Sequence, residues 1–258
     1  MKNTLLTLTL VAVLSGCASI TYIPEPEPPQ IIQNDNKEFS TLPPPMDGPI
    51  VAAVYGFQDK TGQRKPSERL ANISFAVTQG AEAWVINALQ DVGGGQWFKV
   101  VERVGLDNLI KERQIIRQTR DAAGDETSLR PMMFAGVIIE GGIIGYDSNT
   151  LTGGAGARYL GIGATTKYRQ DVVTVNMRMV SVQTGEVLLS VSTTKTIIST
   201  GNSLTFFRFF DMGTRSLEAE IGHTVNEPVN YAVRVAIEQA VVELVKEGVN
   251  RRLWRFAK

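Results

Sequence analysis

Apolar positions along the chain fall into short runs and helical stripes separated by turn residues, and the period of each predicts an element. Residues 49–57 (Pro-Ile-Val-Ala-Ala-Val-Tyr-Gly-Phe) form a continuous apolar run before the turn signal Asp59-Lys60-Thr61-Gly62, which reads as a buried strand. A polar loop, residues 63–74, follows. Ala76, Ala83, Val85, Ala88, Leu89 and Val92 then recur close to every 3.6 residues and stop at Gly93-Gly94-Gly95, the pattern of an amphipathic helix with a glycine terminus. Residues 97–101 predict a short strand. Residues 106–120 predict a second helix, with Leu106, Leu109, Ile110 and Ile116 on its stripe, and residues 137–146 a third strand. Strands near 172–182 and 186–198 flank Gln183-Thr184-Gly185, a hairpin signal. Asn226-Glu227-Pro228 opens a long helix to about Val249, whose apolar face is Val229, Val233, Ala236, Ile237, Ala240, Val241, Leu244 and Val245. Helices packed on a mixed sheet give an α+β body.

Ahead of this body lie two segments of other character. Residues 4–14 are an apolar run behind Lys2, too short for a membrane helix, which needs about 20 apolar residues. They read as a signal peptide. The run closes on Leu14-Ser15-Gly16-Cys17, which resembles the lipobox of bacterial lipoproteins. That resemblance implies cleavage after residue 16 and an S-diacylglycerol and an N-acyl chain, such as palmitate, on Cys17. Ala18 stands where an aspartate favours inner-membrane retention in enterobacterial lipoproteins, so the expected destination is the outer membrane of a Gram-negative cell. Residues 17–48, with Pro24-Glu25-Pro26-Glu27-Pro28-Pro29 and Pro43-Pro44-Pro45, read as an extended tether. The body is expected over residues 49–258.

Composition narrows the chemistry. With 26 basic against 26 acidic residues, no strong field draws the chain to nucleic acid. Cys17 is the single cysteine, so no disulfide can form, and His223 is the single histidine, so a zinc site or Ser-His-Asp relay would have to be built around it alone, where Gly222 and Thr224 offer no ligand-like spacing. His223 reads as an ordinary surface or capping residue. Asp59, Glu102, Glu140 and Glu220 include no pair with the spacing of an acid and a base. No phosphate-binding Gly-Lys-Ser/Thr loop is present. The expectation is a protein that is not an enzyme and holds no cofactor beyond its lipid.

Two stretches, about 150–170 and 200–224, interrupt the α+β plan. In the first, Ile162, Ala164, Thr166 and Tyr168 alternate with Gly163, Thr165, Lys167 and Arg169; in the second, Thr205, Phe207 and Phe209 alternate with Leu204, Phe206 and Arg208, before the turn signal Asp211-Met212-Gly213-Thr214. Each has room for two strands of about 9–11 residues, the length of a tilted membrane strand. One reading makes them surface hairpins on a periplasmic domain. The other inserts them in a membrane, with Tyr159, Ile162, Tyr168, Phe207 and Phe209 as membrane-facing or interfacial candidates. Four strands cannot close a barrel, and open edges cannot face lipid, so insertion demands a ring of subunits.

Several segments resemble the CsgG family, the outer-membrane curli secretion channels. These are Gln58-Asp59 with Thr61-Gly62-Gln63, residues 106–116 (Leu-Asp-Asn-Leu-Ile-Lys-Glu-Arg-Gln-Ile-Ile), Ile143-Ile144-Gly145-Tyr146, residues 156–164, Phe207-Arg208-Phe209 and Asn226-Glu227-Pro228. The resemblance implies a homo-oligomeric ring of nine subunits. Each lends two hairpins to one shared transmembrane barrel above a periplasmic vestibule. The ring exports unfolded curli-type subunits without ATP, with a periplasmic adaptor and a curli assembly factor as partners. It also implies a lumenal constriction in the loop at residues 64–74. Asn72 matches the polar ring of such channels, Ser67 stands where a tyrosine is usual and Ile73 where a phenylalanine is usual. Either the pore is wider and less aromatic, or Phe75 takes the lumenal position. The competing reading is a lipid-anchored periplasmic scaffold or envelope-assembly factor without a pore.

Overall fold

The computed structural model describes Pro28 and residues 36–63, 77–159, 162–210, 215–226 and 229–257. Cys17, the leader and most of the proposed tether lie outside them. The chain divides after Asp35, and residues 36–258 form one unit. Its elements are α1 (Lys37–Thr41), β1 (Ile50–Asp59), α2 (Ala81–Gly95), β2 (Phe98–Val101), α3 (Leu106–Ala123), β3 (Val137–Tyr159), β4 (Ile162–Ser181), β5 (Val187–Phe210), β6 (Arg215–Asn226) and α4 (Val229–Asn250). The strands form one sheet in the order β2-β1-β3-β4-β5-β6. β1 pairs in parallel with β2 and β3, and the remaining pairs are antiparallel, so the sheet is mixed as expected.

The core lies between this sheet and helices α2 and α4. Phe57, Ile139, Ile143, Val173, Val175, Met177 and Met179 meet Val85 and Leu89 of α2 and Ile237, Val241 and Leu244 of α4, all fully buried. Each side chain of this size contributes about 1.5–3 kcal/mol by leaving water. The predicted face of α4 is the buried one, from Val233 to Val245. In α2 the right-handed helix gives way at Val92, and Gly93, Gly94 and Gly95 take positive φ of 59°, 67° and 76°. Side chains rarely adopt that region, so the glycine triplet is the physical stop. Trp97 is fully buried beside Trp254 and Phe256, with ring centroids 6.0 and 5.6 Å away, and donates to the Pro43 carbonyl at 2.9 Å.

Three expectations change. The extended tether through residue 48 is interrupted by α1, which Asn36 caps by accepting from the amides of Glu38 and Phe39. Phe39 and Leu42 enter the core, Glu38 pairs with Lys246, and residues 44–46 hydrogen-bond to 255–257. Two apolar residues three apart are enough to dock a single helical turn, a signal the flanking prolines obscure. The stripe on α3 packs into no core: none of its residues is buried, and a cavity of about 540 Å³ opens between it and the return loop at Leu129 and Met132. The expected hairpins, finally, are not insertions. β3 and β5 run on unbroken for 23 and 24 residues, past the ends at Tyr146 and Ile198 that periodicity suggested. Register shifts between Ile143 and Gly145 and between Asp147 and Leu151 absorb the change in β3.

Candidate functional site

The outer portions of β3, β4 and β5, with β6, form a four-stranded antiparallel extension of the sheet. Leu151 to Tyr159 pair with Gln170 to Ile162, and Ser199 to Phe210 pair with Asn226 to Arg215. The character of the two faces exchanges where this extension begins. Along β4, Val173, Val175, Met177 and Met179 are fully buried, and the intervening Thr174, Asn176 and Arg178 are polar and at least partly exposed. Beyond Asp171 the series of Val173 continues as Arg169, Lys167, Thr165 and Gly163, and the series of Thr174 continues as Val172, Gln170, Tyr168, Thr166, Ala164 and Ile162. β5 follows the same trend. Leu189, Val191, Thr193, Lys195 and Ile197 give way to Ser199, Gly201, Ser203 and Thr205, whereas Ser190, Ser192, Thr194 and Thr196 give way to Ile198, Thr200, Asn202, Leu204 and Phe206, with Ile198, Leu204 and Phe206 as the apolar members. The β4–β5 register is continuous from Ile162↔Phe206 to Met179↔Leu189, so no bulge exchanges the faces. The inversion resides in the sequence. It leaves Ile198 and Tyr168 exposed on the single chain, at 54% and 38%.

Asp171 marks the level of the exchange. Its side chain is buried to 2% exposure and accepts from Arg169 Nη2 at 2.9 Å and from the Tyr146 hydroxyl at 3.4 Å. A buried carboxylate is costly unless paired, so these donors hold the position polar at the top of an apolar core. Burial raises the Tyr146 pKa above the ordinary phenol value of 10.0, and the Asp171 charge adds to the rise while Arg169 opposes it.

The loop after β1 emerges short of this level, since Ile143, beside which β1 ends, pairs with Val175, four residues along β4 from Asp171. Asp59, the last residue of β1, stands opposite Ile143, and the Lys60 amide donates to the Ile143 carbonyl at 2.9 Å. Asp59 also closes the neck of the loop. Its Oδ1 accepts from the Thr61 amide at 2.8 Å and the Thr61 hydroxyl at 2.6 Å, and its Oδ2 accepts from Gln79 Nε2 at 3.1 Å. One carboxylate thus joins the outgoing and returning strands of the loop. The Asp-x-Thr spacing is the sequence signal for such a turn, although spacing does not reveal Gln79 as the distant partner.

The expected site residues separate accordingly. Cys17, Ser67, Asn72, Ile73 and the alternative Phe75 lie outside the described residues. Tyr159, Ile162 and Tyr168 fall in one alternation set of the extension, and Phe206 is paired with Ile162 in that set. Phe207 and Phe209 fall in the other set, one position out of step. His223 stands in β6 opposite Asn202. Among the described residues no group of three or more His, Cys, Asp or Glu could hold a metal ion, and no helix is long and apolar enough to cross a membrane.

A family model described as "Curli production assembly/transport component CsgG" matches residues 33–258. The curli production assembly/transport component CsgG of Citrobacter koseri is 44% identical over 255 residues, covering 97% of this chain and 90% of that protein. The protein of the same name in Escherichia coli (strain K12) is 43% identical over 252 residues, covering 96% of this chain and 89% of its own length. Among solved structures, a PelC dodecamer from Paraburkholderia phytofirmans overlaps with a TM-score of 0.31 at 13% identity, covering 79% of this chain and 93% of that one.

Proposed function

The chain belongs to the CsgG family of curli production assembly/transport components, and from that membership we propose that its copies close a shared β-barrel in the outer membrane and export unfolded curli-type amyloid subunits through it. The observation that carries this reading is the exchange of faces along continuous strands. Along β4 and β5 of the body, the sheet face turned from the helices is mostly polar and meets water. Beyond Asp171 that face becomes apolar and its opposite becomes polar, as a strand requires on passing into a lipid shell around an aqueous lumen.

Four strands with open edges at β3 and β6 cannot lie in hydrocarbon alone. Further copies supply the missing partners, nine in all by family resemblance. The lipid-facing set is that of Tyr159, Ile162 and Tyr168, joined by Leu204, Phe206 and Ile221. Phe207 and Phe209 belong by register to the lumenal set, which revises their expected place. The α+β body forms the periplasmic vestibule. The loop carrying Ser67, Asn72 and Ile73 forms the constriction, where Asn72 offers weak peptide-like hydrogen bonds and Ile73 an apolar collar. Passage is by diffusion without ATP, aided by a periplasmic adaptor and an assembly factor. Residues 1–16 are the leader, and the acylated Cys17 anchors each copy through the segment that precedes α1.

The test is extraction of the membrane protein in detergent and reconstitution in planar bilayers. Heat-stable oligomers with ion conductance are expected. A protein released as a non-conducting monomer once its lipid is removed overturns the channel and favours the scaffold reading.

A further inference from the structure

Among the described residues, the sheet extension has two strand edges without a paired strand, β3 from Leu151 to Tyr159 and β6 along its length, and these edges carry opposite charge. Arg158 is the single charged residue between Leu151 and Tyr159, at the register position opposite Gly163. β6 carries Glu218 opposite Phe207 and Glu220 opposite Thr205. One row of paired positions, Arg158–Gly163–Thr205–Glu220, therefore crosses the whole extension. The cation and the acids occupy the same level and the same alternation set, that of Lys167 and Arg169. Within the chain, the residues directly across from all three are uncharged. Arg215, nearer the tip of β6, falls in the other set.

Resting on the shared-barrel reading, we propose that the β3 edge of one copy seats against the β6 edge of the next with Arg158 meeting the Glu218–Glu220 pair, and that this charge match selects head-to-tail closure. β6 runs opposite to β3, so their contact is antiparallel. A junction of two β3 edges offers Arg158 no acid, and a junction of two β6 edges brings together the acids of both copies without that cation, so only the β3–β6 junction matches Arg158 to Glu218 and Glu220; like charges across a ladder are destabilising. A head-to-tail contact is also the kind that closes a ring. Each ion pair is modest in a water-filled lumen, but it recurs at every junction.

The full chain, reconstituted in lipid and scored by the yield of heat-stable rings, tests this. Arg158→Glu is expected to lower the yield about fivefold or more, and Glu218→Arg with Glu220→Arg to do the same. Combining the three reversals is expected to restore most of the yield. Reversals that leave the yield unchanged, or a combined variant no better than its parents, overturn the proposal. Oxidation of Arg158→Cys paired with Glu218→Cys or Glu220→Cys reads the register directly, with each single variant controlling for Cys17. A ladder of linked subunits from either pair supports it, and no ladder from both pairs while the native chain forms rings overturns it. A native chain that forms no ring overturns the barrel itself, an outcome the charge variants cannot mimic.

Discussion

Asp59 illustrates how one carboxylate gains a role from where its strand ends. Three short hydrogen bonds tie it to Thr61 and Gln79, so it fixes where the loop leaves and re-enters the body. Asp59→Ala removes both acceptor oxygens and with them all three hydrogen bonds, and single-channel recordings should show a noisier open current at unchanged ring yield. Asp59→Asn keeps an acceptor for Thr61, and Gln79 can turn its amide oxygen to the new donor, so it should stay close to the native trace. Gly248 works by having no side chain. A Cβ there would lie 1.9 Å from Trp254 Cζ2, and Trp254 is itself held by donation to the Val245 carbonyl at 2.9 Å. Gly248→Ala should therefore cost about 1–3 kcal/mol, read as a lower urea midpoint at constant slope. Tyr146 gives a pH signature. Its phenol pKa is raised in the folded chain, so its contribution to stability is present below the ordinary value of 10.0 and is lost as pH rises through the raised one. Tyr146→Phe should flatten that alkaline decline in denaturant midpoints.

Among the elements, β4 and β5 are the informative ones, because each contains both phases of one alternation. A single charge placed in each phase separates the faces. Tyr168→Lys puts a cation in the set assigned to lipid, where the cost is about 2–4 kcal/mol at mid-membrane and less near the interface. Membrane-extracted ring should fall. Thr165→Lys adds the same charge to the lumenal set, and ring yield should hold while cation selectivity of the current drops. Much of this was legible in the chain itself. The alternation of Ile162, Ala164, Thr166 and Tyr168 and the 3.6-residue stripe of α4 appear as period and survive as structure. What period could not convey is that the body strands and the hairpins are the same strands, because the inversion at Asp171 looks like an end to a strand when neighbours across the sheet are unknown. Nor could it place Phe207 and Phe209 against Tyr159, since that needs the register between β4 and β5. α1 escaped notice because Phe39 and Leu42 show too little pattern, and α3 kept its helical period without a core to pack into.

For the molecule as a whole, the proposed anchor and the proposed barrel make different demands. Cys17→Ser should leave the body folded, because the core described above is built from residues between Phe39 and Trp254, far along the chain from the substituted position. It should sharply reduce ring formation, by lowering the local concentration at which open-edged copies meet. Native-like amounts of membrane ring from that variant would contradict the anchoring role.

The continuity of β3, β4 and β5 bears on the order in which such an assembly is made. Strand pairing is slow when its partners are distant in sequence, and a slip of one residue sends every side chain to the wrong face. Here the buried ladder around Val175 and Met177 is in continuous register with the segments beyond Asp171, so in the proposed assembly it would set their alignment. The body thus serves as a primer for the sheet that grows from it. On the proposed barrel reading, a copy would reach the bilayer with its own strands already in step, and the pairing left to find would be the one with its neighbour.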